Sequence, residues 1–476
     1  MNLDEPDDRR QAIQDDQLRL LQAAHPEIAV TSADAQGPRR PGEPFGILFR
    51  EGQLLVRPDV ADDVERFVRG RGHHVDRSPH SPMHSPGQRG DPQTGDDRDR
   101  PVDADHGGLD DEVPALLSVP GVEPASGIPE LCRLIHDTFG ADADGFPSAS
   151  PRHAFYMTPV RVLCPATEPA AVSRDDLVYP PMGERYRGLG AQVAILDTGF
   201  IASAAAHCHW LRDISDFDAD PLDKFDLELV ADMPDGYIDP YAGHGTFIAG
   251  VLRRVAPSAS VHIRRLDINL RAVFANSPTY SADIVDEMHI PDHIRAALHL
   301  GQTVVSLSAG GPTLDNHPPL SFRGIRKLLD RHRAVLVAAA GNDATPDPFW
   351  PAALPWVTGV GALDTSMTSV ADYSNTGANA RVYAPGTDLV NAYACGDYEC
   401  FQPPNTGQIR HFHGLARWSG TSFATPVVAA LVAARMSVQD EDAPTALARL
   451  LEAADSGHVM TGVGPTLMPE YTDLGI

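Results

Sequence analysis

The stretch VAILDTG, residues 193–199, decides how we expect this chain to fold. Its first four residues are all apolar, which is typical of a strand that is buried on both faces of a sheet. Comparable apolar runs follow further along the chain, around Val261, Val304, Val335 and Val357. Buried strands that alternate with helical stretches indicate a parallel sheet covered by helices on both sides. The sequence therefore predicts a three-layer α/β/α fold with a mostly parallel sheet.

An aspartate ends the first of these strands. Asp197 follows the apolar run, and Gly199 then turns the chain away. Functional side chains in such sheets collect at the carboxyl ends of the strands. An aspartate that caps the next helix fits the same position, so the motif alone leaves its role open.

A histidine lies between two glycines in the motif GHGTFIAGVL, residues 243–252. Ile248, Val251 and Leu252 have helical spacing, which places His244 at the amino terminus of a helix. Small neighbours allow another backbone or a substrate to approach the imidazole ring. A structural histidine remains the alternative, because the chain has 20 histidines.

Ser422 lies near the start of the stretch SGTSFATPVVAALVAA, residues 419–434, which is mostly apolar. Pro426 is tolerated in the first turn of a helix, so Ser422 is predicted at the start of a buried helix. The unpaired N–H groups and the dipole of that helix end favour negative charge. A serine that only caps the helix fits this position equally well.

The three motifs indicate a function only when they are considered together. A serine hydroxyl becomes a nucleophile when a histidine takes its proton and a carboxylate fixes the histidine tautomer. In the chain order Asp, His, Ser, the motifs resemble the Asp-Thr-Gly, His-Gly-Thr and Gly-Thr-Ser-x-Ala-Thr-Pro signatures of the subtilase (subtilisin-like serine protease) family. The resemblance covers roughly residues 180–455. It implies a subtilisin-like fold, serine endopeptidase activity and a catalytic triad of Asp197, His244 and Ser422.

Two further segments resemble parts of the same family. VAAAGN, residues 337–342, resembles the strand that delivers an oxyanion-hole asparagine, which implies this role for Asn342. SLSAGGP, residues 306–312, resembles the edge segment that pairs with an extended substrate. The implied walls of the pocket for the residue before the scissile bond are Ser308, Ala309 and Gly310 on one side, and Ala339, Ala340 and Gly341 on the other. Ala309 replaces a common leucine, which predicts a wider pocket entrance.

The chain before the peptidase region divides by composition. Residues 1–43 are polar and are expected to be poorly ordered. Residues 44–160 have the strand and helix order of a small α/β sandwich, interrupted by an insertion at 77–112 that is expected to be disordered. The sandwich resembles the ferredoxin-like propeptide of many subtilases, which implies an inhibitor within the chain and a processing region in the linker at 161–190. A permanent partner-binding domain is the alternative, and residues 191–476 form the expected peptidase domain.

Charge and composition exclude several classes of function. The formal net charge is −27, and an acidic surface repels nucleic acids and anionic membranes. The sequence shows no secretory signal, no membrane span of the usual length and five scattered cysteines that do not indicate a disulfide framework. We therefore expect a cytoplasmic protein that acts on peptides or proteins.

No cofactor is expected, because an acyl transfer by such a triad requires none. An acidic run that includes Asp216, Asp218 and Asp220 invites a calcium hypothesis. Pro221 stands where a loop of the EF-hand type needs glycine, so a solvated acidic loop is favoured and no metal site is assigned. Two other functions remain as alternatives: a peptide-processing macrocyclase, and a permanently inhibited binding module with this fold.

Overall fold

The fold was analysed in a computed structural model, which describes the chain in eleven stretches. They are residues 22, 25–32, 45–78, 112–123, 126–156, 166–173, 175–220, 237–238, 242–266, 284–400 and 405–476. Most of the polar segment 1–43, the insertion within 77–112 and the chain between 157 and 165 lie outside the described residues.

Strands and helices alternate through most of the chain. In chain order the described strands are β1 (Ile28–Ser32), β2 (Phe45–Val56), β3 (Asp76–Ser78), β4 (Ala115–Ser118), β5 (Ala149–Tyr156), β6 (Gln192–Asp197), β7 (Asp216–Phe217), β8 (Ser260–Arg265), β9 (Ile284–Asp286), β10 (Val304–Leu307), β11 (Val335–Ala339), β12 (Thr358–Leu363), β13 (Val382–Pro385), β14 (Leu389–Glu399), β15 (Ile409–Trp418), β16 (Val459–Met460) and β17 (Gly464–Pro465). The helices are α1 (Ala61–Gly70), α2 (Gly127–Phe139), α3 (Ala204–His207), α4 (His244–Val255), α5 (His289–His299), α6 (Ile325–His332), α7 (Thr421–Gln439) and α8 (Ala443–Gly457).

The larger sheet has seven strands in the order β13-β12-β11-β10-β6-β8-β7, and every neighbouring pair is parallel. Successive residues of β6 face opposite sides of this sheet. Val193 and Ile195 pack in the core that contains α4 and α7. Ala194 and Leu196 pack in a second core with α5 and α6. The three-layer α/β/α fold predicted from these apolar strands is therefore confirmed.

Helix α7 is the central helix of one core. By length and composition it could cross a membrane, yet every residue from Thr421 to Ala434 is buried in the fold. A helix that is apolar all round needs such an environment. Packing against the sheet and against α4 and α8 accounts for its composition.

A second sheet forms near the amino terminus. The elements β2, α1, β3, β4, α2 and β5 follow one another in the β-α-β-β-α-β order of ferredoxin-like folds. Their strands lie in the order β3-β4-β2-β5 with antiparallel neighbours. Strand β1 also pairs with β2, because Ile28, Ala29 and Val30 are buried against the sheet. This strand lies inside the segment expected to be poorly ordered, so that expectation was too broad.

The second sheet is completed by a strand from far along the chain. Strand β9 pairs antiparallel with β5, which joins Ala154 to Asp286 in register. The buried carboxylate of Asp286 accepts hydrogen bonds from Arg50 Nε at 2.8 Å and from Arg152 Nε at 3.0 Å. The amino-terminal unit and the peptidase region therefore share both a strand pairing and an ionic contact.

A buried histidine strengthens the same contact. The Nδ1 atom of His153 lies 2.9 Å from Glu287 Oε1, and the Leu314 N–H donates to His153 Nε2 at 3.1 Å. Because a backbone N–H can only donate, Nε2 is the acceptor and Nδ1 carries the proton. Ser321 Oγ donates to the other oxygen of Glu287 at 2.9 Å. Breaking the hydrogen bonds of the buried His153–Glu287 pair costs free energy. These bonds therefore stabilise the contact between the amino-terminal unit and the peptidase region.

Candidate active site

Asp197 and His244 lie in direct contact at the carboxyl end of the sheet. Asp197 is the last residue of β6, and His244 is the first residue of α4. The Nδ1 atom of His244 lies 2.6 Å from Asp197 Oδ1, and the two residues are 2% and 0% exposed. A carboxylate can only accept, so Nδ1 carries the proton and Nε2 is left to act as a base.

A second buried carboxylate supports this pair. Asp220 Oδ2 accepts from Thr198 Oγ1 at 3.0 Å and from the Gly243 N–H at 2.9 Å. Thr198 Oγ1 in turn accepts from the Gly245 N–H at 3.1 Å. Asp220 therefore ties the residue after Asp197 to both glycines that flank His244. The acidic run contained this residue, but nothing in the sequence indicated its role.

Three aromatic side chains hold the imidazole ring. The His244 ring lies 5.6 Å from Trp418 and 5.2 Å from Phe423, measured between ring centroids. Phe247 packs against both of these residues, at 5.8 Å and 4.5 Å. An apolar wall of this kind fixes the ring and excludes water from the Asp197 contact.

Ser422 lies at the start of α7, as predicted. Helix α7 begins at Thr421 after Gly420, so Ser422 belongs to its first turn. Pro426 is the sixth residue of the helix and lies inside it, so the prediction of this proline in the first turn was wrong. Ser422 is fully buried. Within the described residues, His244 Nε2 accepts no hydrogen bond, so the expected contact between the serine and the histidine is not formed here. Catalytic hydrogen bonds are often long without substrate and shorten when substrate binds.

Asn342 is oriented by the residue before the serine. Its Oδ1 accepts from the Thr421 backbone N–H and from Thr421 Oγ1, both at 2.9 Å. The amide oxygen is thereby committed, and Nδ2 is the atom that can donate to a substrate oxygen. Asn342 therefore lies against the first turn of α7, next to Ser422.

The two predicted pocket walls flank the same helix start. Ser308 Oγ donates to the Ser422 carbonyl at 3.2 Å, and the Gly341 N–H donates to Thr421 Oγ1 at 3.2 Å. Ala309, Ala339 and Ala340 are buried next to these anchors. The structure therefore places one residue of each predicted wall, Ser308 and Gly341, in contact with the start of α7. The width predicted for the entrance at Ala309 stays a prediction.

The alternating aspartates of the acidic run have different partners. Asp216 Oδ2 lies 2.5 Å from His262 Nδ1, and Asp218 Oδ2 accepts from the Arg265 N–H at 3.1 Å. Asp220 turns inward to Thr198. Among the residues described, no three acidic, histidine or cysteine side chains are grouped as they would be around a metal ion.

Comparison with known proteins gives a consistent result. The model of the subtilase family matches residues 188–464. Subtilisin DY from Bacillus licheniformis is 28% identical over 267 residues, which are 53% of this chain and 78% of that protein. The thermophilic serine proteinase of Bacillus sp. strain AK1 is 30% identical over 248 residues, and the match covers 51% of each chain. The chain thus spans about half the length of this second relative.

A solved structure extends the likeness in fold beyond the peptidase region. Fervidolysin from Fervidobacterium pennivorans, described as a keratinolytic enzyme related to subtilisin, aligns with a TM-score of 0.50 at 17% identity. The alignment covers 91% of this chain and 62% of that chain. With a family match over more than half of its residues, the chain belongs to the subtilase family of serine proteases.

Proposed function

We propose that this chain is the self-inhibited precursor of a serine endopeptidase whose triad is Asp197, His244 and Ser422. The 2.6 Å contact between His244 and Asp197 carries the proposal, since it leaves the imidazole in the tautomer of a general base. The substrates are peptides or proteins, and neither a metal nor another cofactor is required for the reaction. A cytoplasmic location stays a prediction.

The reaction follows from these positions. His244 Nε2 takes the proton of Ser422, whose oxygen attacks the peptide carbonyl and forms a tetrahedral oxyanion. Asn342 Nδ2 and the Ser422 N–H stabilise the oxyanion, and loss of one such donor costs about 3 kcal/mol. His244 then protonates the leaving amine, and water hydrolyses the acyl-enzyme by the reverse sequence of proton transfers.

The inhibitory role of the amino-terminal unit is supported by contacts on both flanks of the site. On one flank, Phe155 of β5 packs against Gly311, since a carbon atom built as Cβ of Gly311 would lie 2.9 Å from Phe155 Cδ1. On the other flank, Trp418 Nε1 donates to the Thr167 carbonyl at 2.6 Å, and Trp418 packs on the catalytic histidine. Residues 157–165 lie outside the described residues. We propose that self-cleavage occurs after β5, between residues 157 and 190.

Burial of the nucleophile supports the same proposal. Ser422 is fully buried, and His244 and Asn342 are each 2% exposed. A peptide substrate cannot reach a serine in this state, so activity requires the site to open. Removal of a segment that is continuous with the amino-terminal unit would provide that opening.

A fluorophosphonate probe tests the mechanism, because it labels only an activated serine. The purified full chain is incubated, labelled and compared with Ser422→Ala, and its new amino terminus is sequenced. We expect labelling of the wild type alone and a new terminus between residues 157 and 190. Ser456→Ala, which changes an exposed serine of α8, is the control and should still be labelled. Absence of labelling after every incubation would reject the proposed activity.

A further inference from the structure

Two adjacent strands separate at the point where they reach the nucleophile. Strands β10 and β11 pair in parallel up to Leu307 and Ala338. Beyond this pair, the segment 308–310 is held to Ser422 by the Ser308 hydroxyl, and Gly341 is held to Thr421. The side chain of a residue whose carbonyl carbon is bonded to Ser422 would enter the crevice between these two segments.

The crevice is already occupied by an aromatic ring. A Cβ atom built on Gly310 would lie 2.5 Å from Phe349 Cε1, and one built on Gly341 would lie 2.9 Å from Phe349 Cγ. Gly310 approaches the Cδ1–Cε1 edge of the ring and Gly341 approaches the Cγ–Cδ2 edge, so the ring of Phe349 touches both walls and fills space between them. Only 7% of Phe349 is exposed.

The backbone around Phe349 is fixed. The Phe349 N–H donates to Asn379 Oδ1 at 2.7 Å. The next residue, Trp350, exchanges both backbone hydrogen bonds with Gly311 at 2.9 Å. Gly311 directly follows one wall of the crevice, so the ring and the wall belong to one hydrogen-bonded unit. These bonds hold the backbone in place, so the ring can leave the crevice only by rotating about its own side-chain bonds within a packed site.

We infer that Phe349 determines specificity by closing the pocket to large side chains, so that the residue before the scissile bond must be glycine, alanine or serine. The inference deepens the proposed endopeptidase function and rests on it. A large side chain would have to compress a packed site, and overpacking of that kind is strongly unfavourable. The wall residues are Ser, Ala and Gly, and none of them is charged. The walls therefore do not favour a long basic side chain.

The test compares two peptide p-nitroanilides that are identical except for alanine or phenylalanine before the scissile bond. With the incubated full chain, we expect kcat/KM for the alanine peptide to exceed that for the phenylalanine peptide by at least about thirtyfold. Phe349→Ala should reverse this order, and Phe349→Leu should give an intermediate ratio. Thermal unfolding of each variant reports whether it is folded.

The wild-type ratio decides the inference even where a variant does not fold. Preference of the labelled wild type for the phenylalanine peptide would overturn it, and so would labelling without hydrolysis of either peptide. An unchanged ratio in folded Phe349→Ala would also overturn it. Failure of the fluorophosphonate to label the chain would instead reject the proposed function, and the inference with it.

Discussion

The buried carboxylate of Asp220 offers a sharp test of how the site is held together. Asp220→Ala removes the acceptor of the Thr198 hydroxyl and of the Gly243 N–H, whereas the amide oxygen of Asp220→Asn can still accept both. The two variants therefore separate loss of these hydrogen bonds from loss of charge. Asp213→Ala is the matched control, because Asp213 lies in the same acidic run but its side chain is 87% exposed.

The expected cost follows from the two donors. Each buried donor that loses its partner costs about 1–3 kcal/mol. Water entering the space left by the side chain reduces this cost, so we expect about 2–4 kcal/mol in total for Asp220→Ala. For a domain of this size that corresponds to a decrease in Tm of about 4–8 °C. The control should change the free energy of unfolding by less than about 0.5 kcal/mol.

Activity should fall together with stability. Thr198 holds the Gly245 N–H beside His244, and a small displacement of a catalytic group lowers the rate by up to about a hundredfold. We expect kcat for peptide hydrolysis to fall at least about tenfold in Asp220→Ala, with KM nearly unchanged, and to recover in Asp220→Asn. The reasoning is refuted if Asp220→Ala matches the wild type in Tm and kcat, or if Asp220→Asn is as impaired as Asp220→Ala.

Three further outcomes are expected. Asp197→Asn should lower kcat about 10⁴-fold without unfolding the chain, because it disturbs the histidine tautomer; steady-state kinetics and thermal unfolding check both parts. Burial alone would raise the pKa of Asp286, but Arg152 and nearby cations outweigh it and lower the pKa. The ion pairs of Asp286 therefore stabilise the fold fully above the ordinary pKa of an aspartate, about 4, and are lost as the pH falls through the lowered pKa. Limited proteolysis at a series of pH values from 7 to 3 should show release of the amino-terminal unit as the pH falls. This pH dependence should be weaker in Asp286→Asn. Gly245→Ala should destabilise the chain although it lies in a helix, since its Cβ would lie 2.3 Å from a backbone oxygen; Gly70→Ala, where the space is open, should not lower the Tm.

The sequence could predict structural features that depend on a single continuous segment of the chain. The apolar run before Asp197 predicted a buried strand, and the proline four residues after Ser422 predicted a helix start. Both predictions are confirmed. Each rests on the chemistry of a single segment, and each segment needs no distant partner to be recognised.

The features that escaped prediction depend on contacts between distant segments. Asp220 binds Thr198 across 22 positions of the chain, and its neighbours in sequence are equally acidic. Phe349 lies in a stretch without a motif, and only the folded chain places it between Gly310 and Gly341. Strand β9 is three residues long, too short for a pattern, and its partner β5 precedes it by more than a hundred residues. No local signal marks any of these contacts.

The pairing of β9 with β5 can form only after much of the chain has been synthesised. Strand β9 begins at Ile284, and β5 ends at Tyr156, so during synthesis β5 is complete well before its partner leaves the ribosome. At about 5–20 residues per second, this interval lasts on the order of ten seconds. Throughout it, the amino-terminal sheet presents an open edge, which is a site of unwanted pairing with other chains. The nascent chain is thus most vulnerable to aggregation after its first unit has folded and before β9 has paired with that edge.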